Sequence, residues 1–346
     1  MKNTTIITLA AMLFGSAGAF ADSAVTKPAG FVTHTLKSGQ FNLIGLTLHQ
    51  PVTVAGAFSA VASNDNGTGG DTDDDYSVLT DANVDFNTAL TSGKTYILEI
   101  TDAANTALNG TIQEVTVWSG ATVTTPNDIV ADGVAIGDKY QIREAVTIQQ
   151  IFGTPPAIKS TASAASSDVI WVADGSGGYT QYYYKTPIVG SPSWFNATTN
   201  SAVVGDIPIV YTDAVIVQIQ SGSPDVNLVV TGSVKTGEVA LAVFTGFNLV
   251  SNVYPVGSTL QNSDLSSSLT STASASSSDV IWMPNGLGGY DRYYYKTPIV
   301  GSPSWFNATS NSAVVSDVIL TSAFFIQRIG SATNVDIDPP TSYNNL

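Results

Sequence analysis

Polar and apolar residues alternate along much of the chain, the pattern expected of strands with one buried face. The alternation is clearest in residues 30–36, 95–100, 213–220 and 226–231. Gly, Asn, Asp and Pro interrupt it at intervals of roughly ten residues, a spacing typical of sandwiches and barrels. No segment repeats apolar residues with a helical period over about three turns. The pattern therefore predicts an all-β protein.

An internal repeat dominates the second half of the chain. Residues 160–204 and 271–315 align without a gap at an offset of 111, and 37 of 45 positions are identical. Within this block the stretch YYYKTPIVGSPSWFNAT occurs unchanged at residues 182–198 and 293–309. Such similarity predicts that the chain forms the same structural unit twice.

A weaker match lies upstream of each repeated block. FNLIGLTLHQP at residues 41–51 resembles FNLVSNVYP at residues 247–255, and the offset of this pair is 206. The two offsets differ by 95 residues, which indicates an insertion in the first copy between residues 55 and 146.

These matches predict the domain organisation. We expect two tandem homologous modules of the β-sandwich or jelly-roll type, with a small β-barrel-like domain inserted in the first. The predicted boundaries are 1–21 for a signal peptide, 22–55 with 146–231 for the first module, 56–145 for the insert, 232–338 for the second module, and 339–346 for a C-terminal tail.

The N-terminus has the features of a secretory signal peptide. Lys2 precedes the apolar residues 6–14, and Ala19-Phe20-Ala21 is a small-residue cleavage site. No later apolar run is long enough to cross a bilayer as a helix. We therefore expect an exported protein that is extracellular or on the cell surface, with the periplasm as the alternative.

Charge and cysteine content exclude several kinds of chemistry. Removing Lys2 with the signal peptide leaves 11 basic and 27 acidic residues, a net charge of −16, so a nucleic-acid partner is not expected. The chain has no Cys, which excludes disulfides, thiolate nucleophiles and Cys-ligated metals. Each module must therefore be held together by a hydrophobic core.

The motifs resemble a known family. The segments FNLIGLTLHQP and TGFNLVSNVYP, the Trp-containing strand, GGYDRYYYKT and the C-terminal apolar strand are similar to those of uncharacterised secreted β-rich repeat proteins. This family is known mainly from verrucomicrobia-like bacteria. The resemblance implies a β-rich exported architecture and no assigned activity. The acidic loop at residues 63–77 departs from it.

The tyrosines of the repeated stretch lie on a predicted strand. Alternation places Tyr293 and Tyr295 on one face, and Tyr294 with Arg292 and Lys296 on the other. The first face is expected to be buried, because an aromatic side chain contributes a large apolar area to a small core.

The repeated aromatic residues allow two interpretations. Packing in the core is the simpler role for Trp171, Tyr182, Tyr184, Trp194, Trp282, Tyr293, Tyr295 and Trp305. Alternatively, exposed rings stack on a polysaccharide or on a second copy of the chain; the candidates for this role are Tyr183, Trp194, Tyr294 and Trp305. The loop PIVGSPSWFNAT is identical in both copies, which favours a surface with the same function in both modules. Recent sequence exchange between the copies explains the identity equally well.

The acidic loop suggests a calcium site. Asp65, Asp71, Asp73 and Asp75 supply carboxylates on a Gly-rich loop, and their spacing begins like a calcium-binding loop. The pattern then fails, because Tyr76 stands where that loop needs Gly. A solvated loop is the alternative interpretation, and calcium is the one cofactor that the sequence suggests.

Catalytic patterns are weak. The two histidines, His34 and His49, show no metal-binding spacing, and no nucleophile motif is present. The leading hypothesis is a non-enzymatic surface or matrix protein that self-associates through repeated module surfaces. Polysaccharide binding and calcium-dependent assembly are the alternatives.

Overall fold

Strands are the main regular structure of this protein. A computed structural model describes residues 29–69, 74–175, 177–203, 206–344 and 346. Strands make up 43% of it and helices 8%, in seven mostly antiparallel sheets, which confirms the all-β prediction. The predicted signal peptide lies outside the described residues, and the predicted domain boundaries stay predictions.

The strands follow one another in short segments. Those before residue 150 are β1 (Ala29–Leu36), β2 (Phe41–Gly45), β3 (Val52–Ala57), β4 (Ala60–Asn64), β5 (Tyr76–Thr80), β6 (Tyr96–Asp102), β7 (Ile112–Val115), β8 (Val117–Ser119), β9 (Thr122–Thr125), β10 (Lys139–Glu144) and β11 (Val146–Thr147). Those after it are β12 (Val169–Ala173), β13 (Tyr179–Lys185), β14 (Ser193–Asn196), β15 (Pro208–Ile209), β16 (Ala214–Gln218), β17 (Val226–Ser233), β18 (Val239–Val243), β19 (Gly246–Ser251), β20 (Val280–Pro284), β21 (Tyr290–Lys296), β22 (Ser304–Asn307), β23 (Ala323–Arg328) and β24 (Thr333–Ile337). The four segments with the clearest alternation coincide with β1, β6, β16 and β17.

Within the described residues, helices are limited to single turns between strands. They are α1 (Phe86–Ala89), α2 (Ile148–Phe152) and α3 (Leu265–Ser268), with 3₁₀ turns at Thr106–Leu108, Ala164–Ser166, Ala275–Ser277 and Thr341–Tyr343. The helix α2 begins with a capping box, in which the Thr147 side chain and the Gln150 side chain each bond the other residue's backbone N–H.

Two five-stranded sheets contain the repeated sequence. The strand order is β14-β13-β12-β16-β2 in the first sheet and β22-β21-β20-β23-β19 in the second. Ile170 lies opposite Tyr182 in the first sheet, and Ile281 lies opposite Tyr293 in the second. Each repeated block therefore forms equivalent strands with equivalent register.

The two five-stranded sheets share one hydrophobic core with two strand pairs. The pairs are β1 with β17 and β18 with β24. Alternation directs Val215 and Val217 of the first sheet, and Phe324 and Ile326 of the second, into this core. The result is a sandwich-like arrangement in which both sheets bury one face.

Residues between β3 and β10 form a separate unit with its own core. The sheets β3-β10-β6-β7 and β4-β5-β9-β8 enclose a cluster that includes Leu79, Leu98 and Val123. The strands described here close no barrel, so the barrel-like expectation for this unit is replaced by two four-stranded sheets around one core.

The two five-stranded sheets touch where β2 and β19 end. The N–H of Ser251 donates to the carbonyl of Thr212 at 2.8 Å, and the N–H of Gly45 donates to the side-chain oxygen of Ser322 at 3.4 Å. A Cβ at Gly45 would lie 1.6 Å from the carbonyl oxygen of Ser322, so the close approach requires Gly there.

Candidate functional site

The repeated stretch forms a strand, a loop and an edge strand in both sheets. Tyr184 of β13 faces Trp194 of β14, and Tyr295 of β21 faces Trp305 of β22. The ring centroids are 5.5 Å and 5.4 Å apart, with edge-to-face geometry in both pairs. These cross-strand pairs fix the ends of the intervening loop in the same way in each copy.

The four aromatic candidates for ligand contact lie in the interior. Tyr183, Trp194, Tyr294 and Trp305 have only 1–4% of their surface exposed. They cannot stack on an external partner in this conformation, so the expected exposed rings are a wrong prediction. The interpretation as core residues is correct for Trp194 and Trp305.

The burial of Tyr183 and Tyr294 has a local cause. The chain turns back after β14 and β22, and Asn200 and Asn311 adopt the left-handed conformation, each with φ of 53°. The hydroxyl of Tyr183 donates to Oδ1 of Asn200 at 2.7 Å, and Tyr294 makes the same 2.7 Å bond to Asn311. The returning chain therefore covers the face that alternation predicts to be outside.

The loop between the paired strands is the exposed part of the repeated stretch. Ile188 and Val189 are 96% and 89% exposed, and Ile299 and Val300 have the same two values. We call residues 187–190 and 298–301 the PIVG loops. Single exposed apolar residues are common on proteins, but a fully exposed adjacent pair repeated on one chain is a candidate contact surface.

Each PIVG loop stands on a fixed base. The N–H of Thr186 donates to the carbonyl of Thr161 at 2.9 Å, and the N–H of Thr297 donates to the carbonyl of Thr272 at 3.0 Å. Proline begins each loop and fixes one φ angle, which reduces the conformational entropy that binding would remove. The Ile–Val pair is thus presented by a constrained loop.

The acidic loop is described only in part. Asp71 and Asp73 lie outside the described residues, whereas Asp65 and Asp75 lie within them. Oδ1 of Asp65 accepts a 3.0 Å bond from the N–H of Gly67, so this carboxylate closes a local turn. Among the residues that the structure describes, no group of three or more His, Cys, Asp or Glu could hold a metal ion. Calcium binding stays a prediction.

A buried ionic cluster joins distant parts of the chain. Glu99 of β6 contacts Lys235 through Oε1, accepts a 2.9 Å bond from the hydroxyl of Tyr211 at Oε2, and has Arg143 3.7 Å away. Burial alone would raise the pKa of Glu99, but the charges of Lys235 and Arg143 outweigh it and lower that pKa. The carboxylate therefore stays ionised and ties together residues up to 136 positions apart in the sequence.

His49 lies beside this cluster. Its ring packs on Tyr211 at 4.8 Å, and Nε2 lies 3.2 Å from the carbonyl of Val253, to which it donates as the neutral tautomer. Burial, with the charge of Arg143, lowers the pKa of His49 to about 3. The ring is therefore neutral over the physiological range, and its contacts point to a structural role.

Two clefts of different size separate the five-stranded sheets. One has a volume of about 640 Å³ and lies between residues 33–44 and the β20–β21 turn. The other has about 200 Å³ and lies between β18–β19 and the β12–β13 turn. Their lining segments correspond under the internal repeat, so the clefts are equivalent in position but not in size.

The sequence places the PIVG segments in a loop that is identical in both copies, but it does not single out their Ile–Val pairs as the exposed residues, and it does not reveal the ionic cluster. Nothing in the sequence relates Glu99 to Lys235. No helix within the described residues is long and apolar enough to span a membrane.

Comparisons of the chain with protein-family models, with curated proteins and with solved structures found no match. The resemblance to secreted repeat proteins of verrucomicrobia-like bacteria therefore stays a prediction.

Proposed function

We propose that this chain is a non-enzymatic, exported surface or matrix protein that self-associates through its two PIVG loops. The observation that carries the proposal is the nearly complete exposure of Ile188 with Val189, and of Ile299 with Val300. Water-exposed aliphatic pairs on constrained loops gain free energy when a partner covers them.

The energetics favour weak contacts that add up. Burying one Ile or Val side chain is worth roughly 1.5–3 kcal/mol, so each loop offers roughly 3–6 kcal/mol before the cost of association. One such contact is marginal in solution. Two equivalent loops on one chain make each molecule bivalent, which raises the overall affinity once neighbours are in place.

The repeat also favours open assemblies. A loop that contacts a different surface on the next molecule forms a heterologous contact, and such contacts produce fibres or layers unless the rotation closes a ring. Two identical loops per chain supply the repeated contacts that a layer needs. An external location follows from the predicted signal peptide and is part of the same proposal.

The test compares assembly of the chain without residues 1–21 with that of loop variants. We expect concentration-dependent oligomers in light scattering and ordered assemblies in electron microscopy. Replacing Ile188, Val189, Ile299 and Val300 together by Ser should leave a folded protein that forms no extended assembly, and replacing one pair should leave limited oligomers.

The matched control is Leu287→Ser. Leu287 is 90% exposed at the β20–β21 turn, outside the identical stretch, so its loss removes similar apolar area without touching a PIVG loop. A wild-type chain that stays monomeric at all concentrations, with and without calcium, would refute the proposal. If the Leu287 variant loses assembly to the same extent, the contacts are nonspecific hydrophobic association and the proposal fails.

A further inference from the structure

The strand β1 has one edge without a partner. It pairs along its full length with β17, from Ala29 opposite Ser233 to Leu36 opposite Val226. In the residues that the structure describes, its other edge makes no backbone hydrogen bond. In an antiparallel pair, alternate residues direct both N–H and C=O away from the partner strand, so this edge offers a row of free donors and acceptors.

This edge lacks the protection that edge strands usually have. Natural proteins block such edges with Lys, Pro, bulges or a covering segment. The β1 sequence AGFVTHTL contains no Lys, Arg, Asp, Glu or Pro, and its pairing with β17 has no bulge. Phe31 is 73% exposed, which adds apolar surface beside the free backbone groups.

The equivalent strand in the second half of the chain is covered. The N–H of Ala240 in β18 donates to the carbonyl of Gly110 at 3.1 Å. A Cβ at Gly110 would lie 2.8 Å from that same nitrogen, so the covering segment is tightly packed on the edge. The unit between β3 and β10 thus closes one of two equivalent edges and leaves the other open.

Space for an incoming strand lies beside the open edge. The larger cleft, of about 640 Å³, is lined by Thr33, His34, Thr35 and Lys37, whereas the smaller cleft of about 200 Å³ lies beside the covered strand. The residues lining the larger cleft include no Asp or Glu, although the chain as a whole is strongly acidic. The lining itself therefore adds no carboxylate to the repulsion between two acidic copies.

We propose that β1 pairs antiparallel with β1 of a second copy, joining two strand pairs into one four-stranded sheet across a twofold axis. An identical uncharged strand satisfies the free groups of both edges at once, and antiparallel self-pairing is isologous and closes as a dimer. The inference rests on the proposed self-association, but it uses a surface separate from the PIVG loops.

The first measurement is amide hydrogen exchange of the wild-type chain at low and high concentration. Edge pairing protects alternate amides of β1 in the oligomer and leaves the already bonded amides of β1 unchanged. Assembly through the PIVG loops alone leaves the outward amides of β1 exchanging at the monomer rate.

The second measurement uses a matched pair of variants. Thr33 is exposed on β1, and Val229 is the exposed residue directly opposite it on β17. Lys on the free edge brings two like charges together in the dimer, so Thr33→Lys should raise the dimer dissociation constant at least about tenfold. Val229→Lys adds the same charge on β17, one strand away from the free edge, and should change the dimer dissociation constant less than about threefold.

The cysteine-free sequence permits a direct check of proximity. In single-Cys variants at Phe31, Val32, Thr33, His34 and Thr35, symmetric antiparallel pairing places the central residue of the pairing beside its own copy, and oxidation of that variant should give a disulfide dimer. Val229→Cys should not cross-link at a comparable rate.

The outcomes separate the two proposals. If the PIVG variants lose assembly while the β1 amides stay unprotected and no cross-link forms, the edge pairing is overturned and the proposed function stands. A β1-linked dimer that persists when all four PIVG residues are Ser supports the edge pairing, and extended assemblies that persist in the same variant count against the loops. A strict monomer at all concentrations overturns both proposals.

Discussion

The buried carboxylate of Asp279 forms an ion pair with Arg328, with Oδ2 2.6 Å from Nη1. The equivalent carboxylate in the first copy, Asp168, is equally buried, and both carboxylates accept bonds from two backbone N–H groups. The first copy has Ile219 at the position that corresponds to Arg328, so only the second copy adds an ion pair to these bonds.

The first prediction follows from this difference. Asp279→Asn leaves the guanidinium of Arg328 buried without a charge partner, and removing one member of a buried pair costs about 3–5 kcal/mol. Asp168→Asn loses only charge-assisted bonds to the backbone and should cost about 1–2 kcal/mol. Urea unfolding of both variants measures the difference, and equal losses would contradict it.

The second prediction concerns the contact between the two five-stranded sheets. Because a Cβ at Gly45 would lie 1.6 Å from a backbone oxygen of Ser322, Gly45→Ala must push the sheets apart. We expect a loss of at least about 3 kcal/mol in the free energy of unfolding, as for other overpacked interiors. Gly30→Ala is the control, because its Cβ would meet no atom within 4 Å. A stability of Gly45→Ala close to that of Gly30→Ala would argue against this contact.

The sequence was informative where local pattern and structure coincide. Alternation located strands such as β1 and β16 because burial of one face imposes a period of two. The repeat indicated that Tyr182 and Tyr293 would have equivalent neighbours, and they do. These features depend on residues close together in the sequence or on direct similarity.

The sequence was misleading where distant or returning segments decide burial. Tyr294 is buried because the chain turns back at Asn311 and covers its ring. Alternation within the strand gives no information about this covering segment. The contact of Glu99 with Lys235 joins units separated by over a hundred residues, so no local pattern could show it.

The third prediction concerns acid stability through His49. Its pKa is about 3 in the folded chain and 6.5 when unfolded, so the unfolded state binds an extra proton between these values. Stability is therefore full above about pH 6.5 and is lost as the pH falls toward 3; from pH 7 to pH 4 the loss is roughly 3 kcal/mol. The lowered pKa of Glu99 acts in the same direction at lower pH, whereas Asp213, whose pKa is raised to about 6 by burial and by Glu114, acts in the opposite one.

A substitution isolates the histidine. His49→Gln retains a side-chain donor for the carbonyl of Val253 but has no titrating ring. The difference in unfolding free energy between wild type and variant should narrow or reverse from pH 7 to pH 4, as measured by urea unfolding at each pH. A difference that stays constant over this range would show that His49 is not a buried neutral group.

The last prediction concerns the ionic strength at which the chain assembles. Its net charge is −15, so neighbouring copies repel one another, while the PIVG loops contribute only apolar side chains to the contact. Raising NaCl from about 10 mM to about 150 mM shortens the screening length from about 30 Å to about 8 Å and removes most of that repulsion. Assembly measured by light scattering should therefore become stronger with salt, and the variant with Ser at all four loop positions should form no assembly larger than a dimer at either concentration. Contacts held by ion pairs would weaken under the same change, so dissociation on adding salt would exclude the loops as the main source of cohesion.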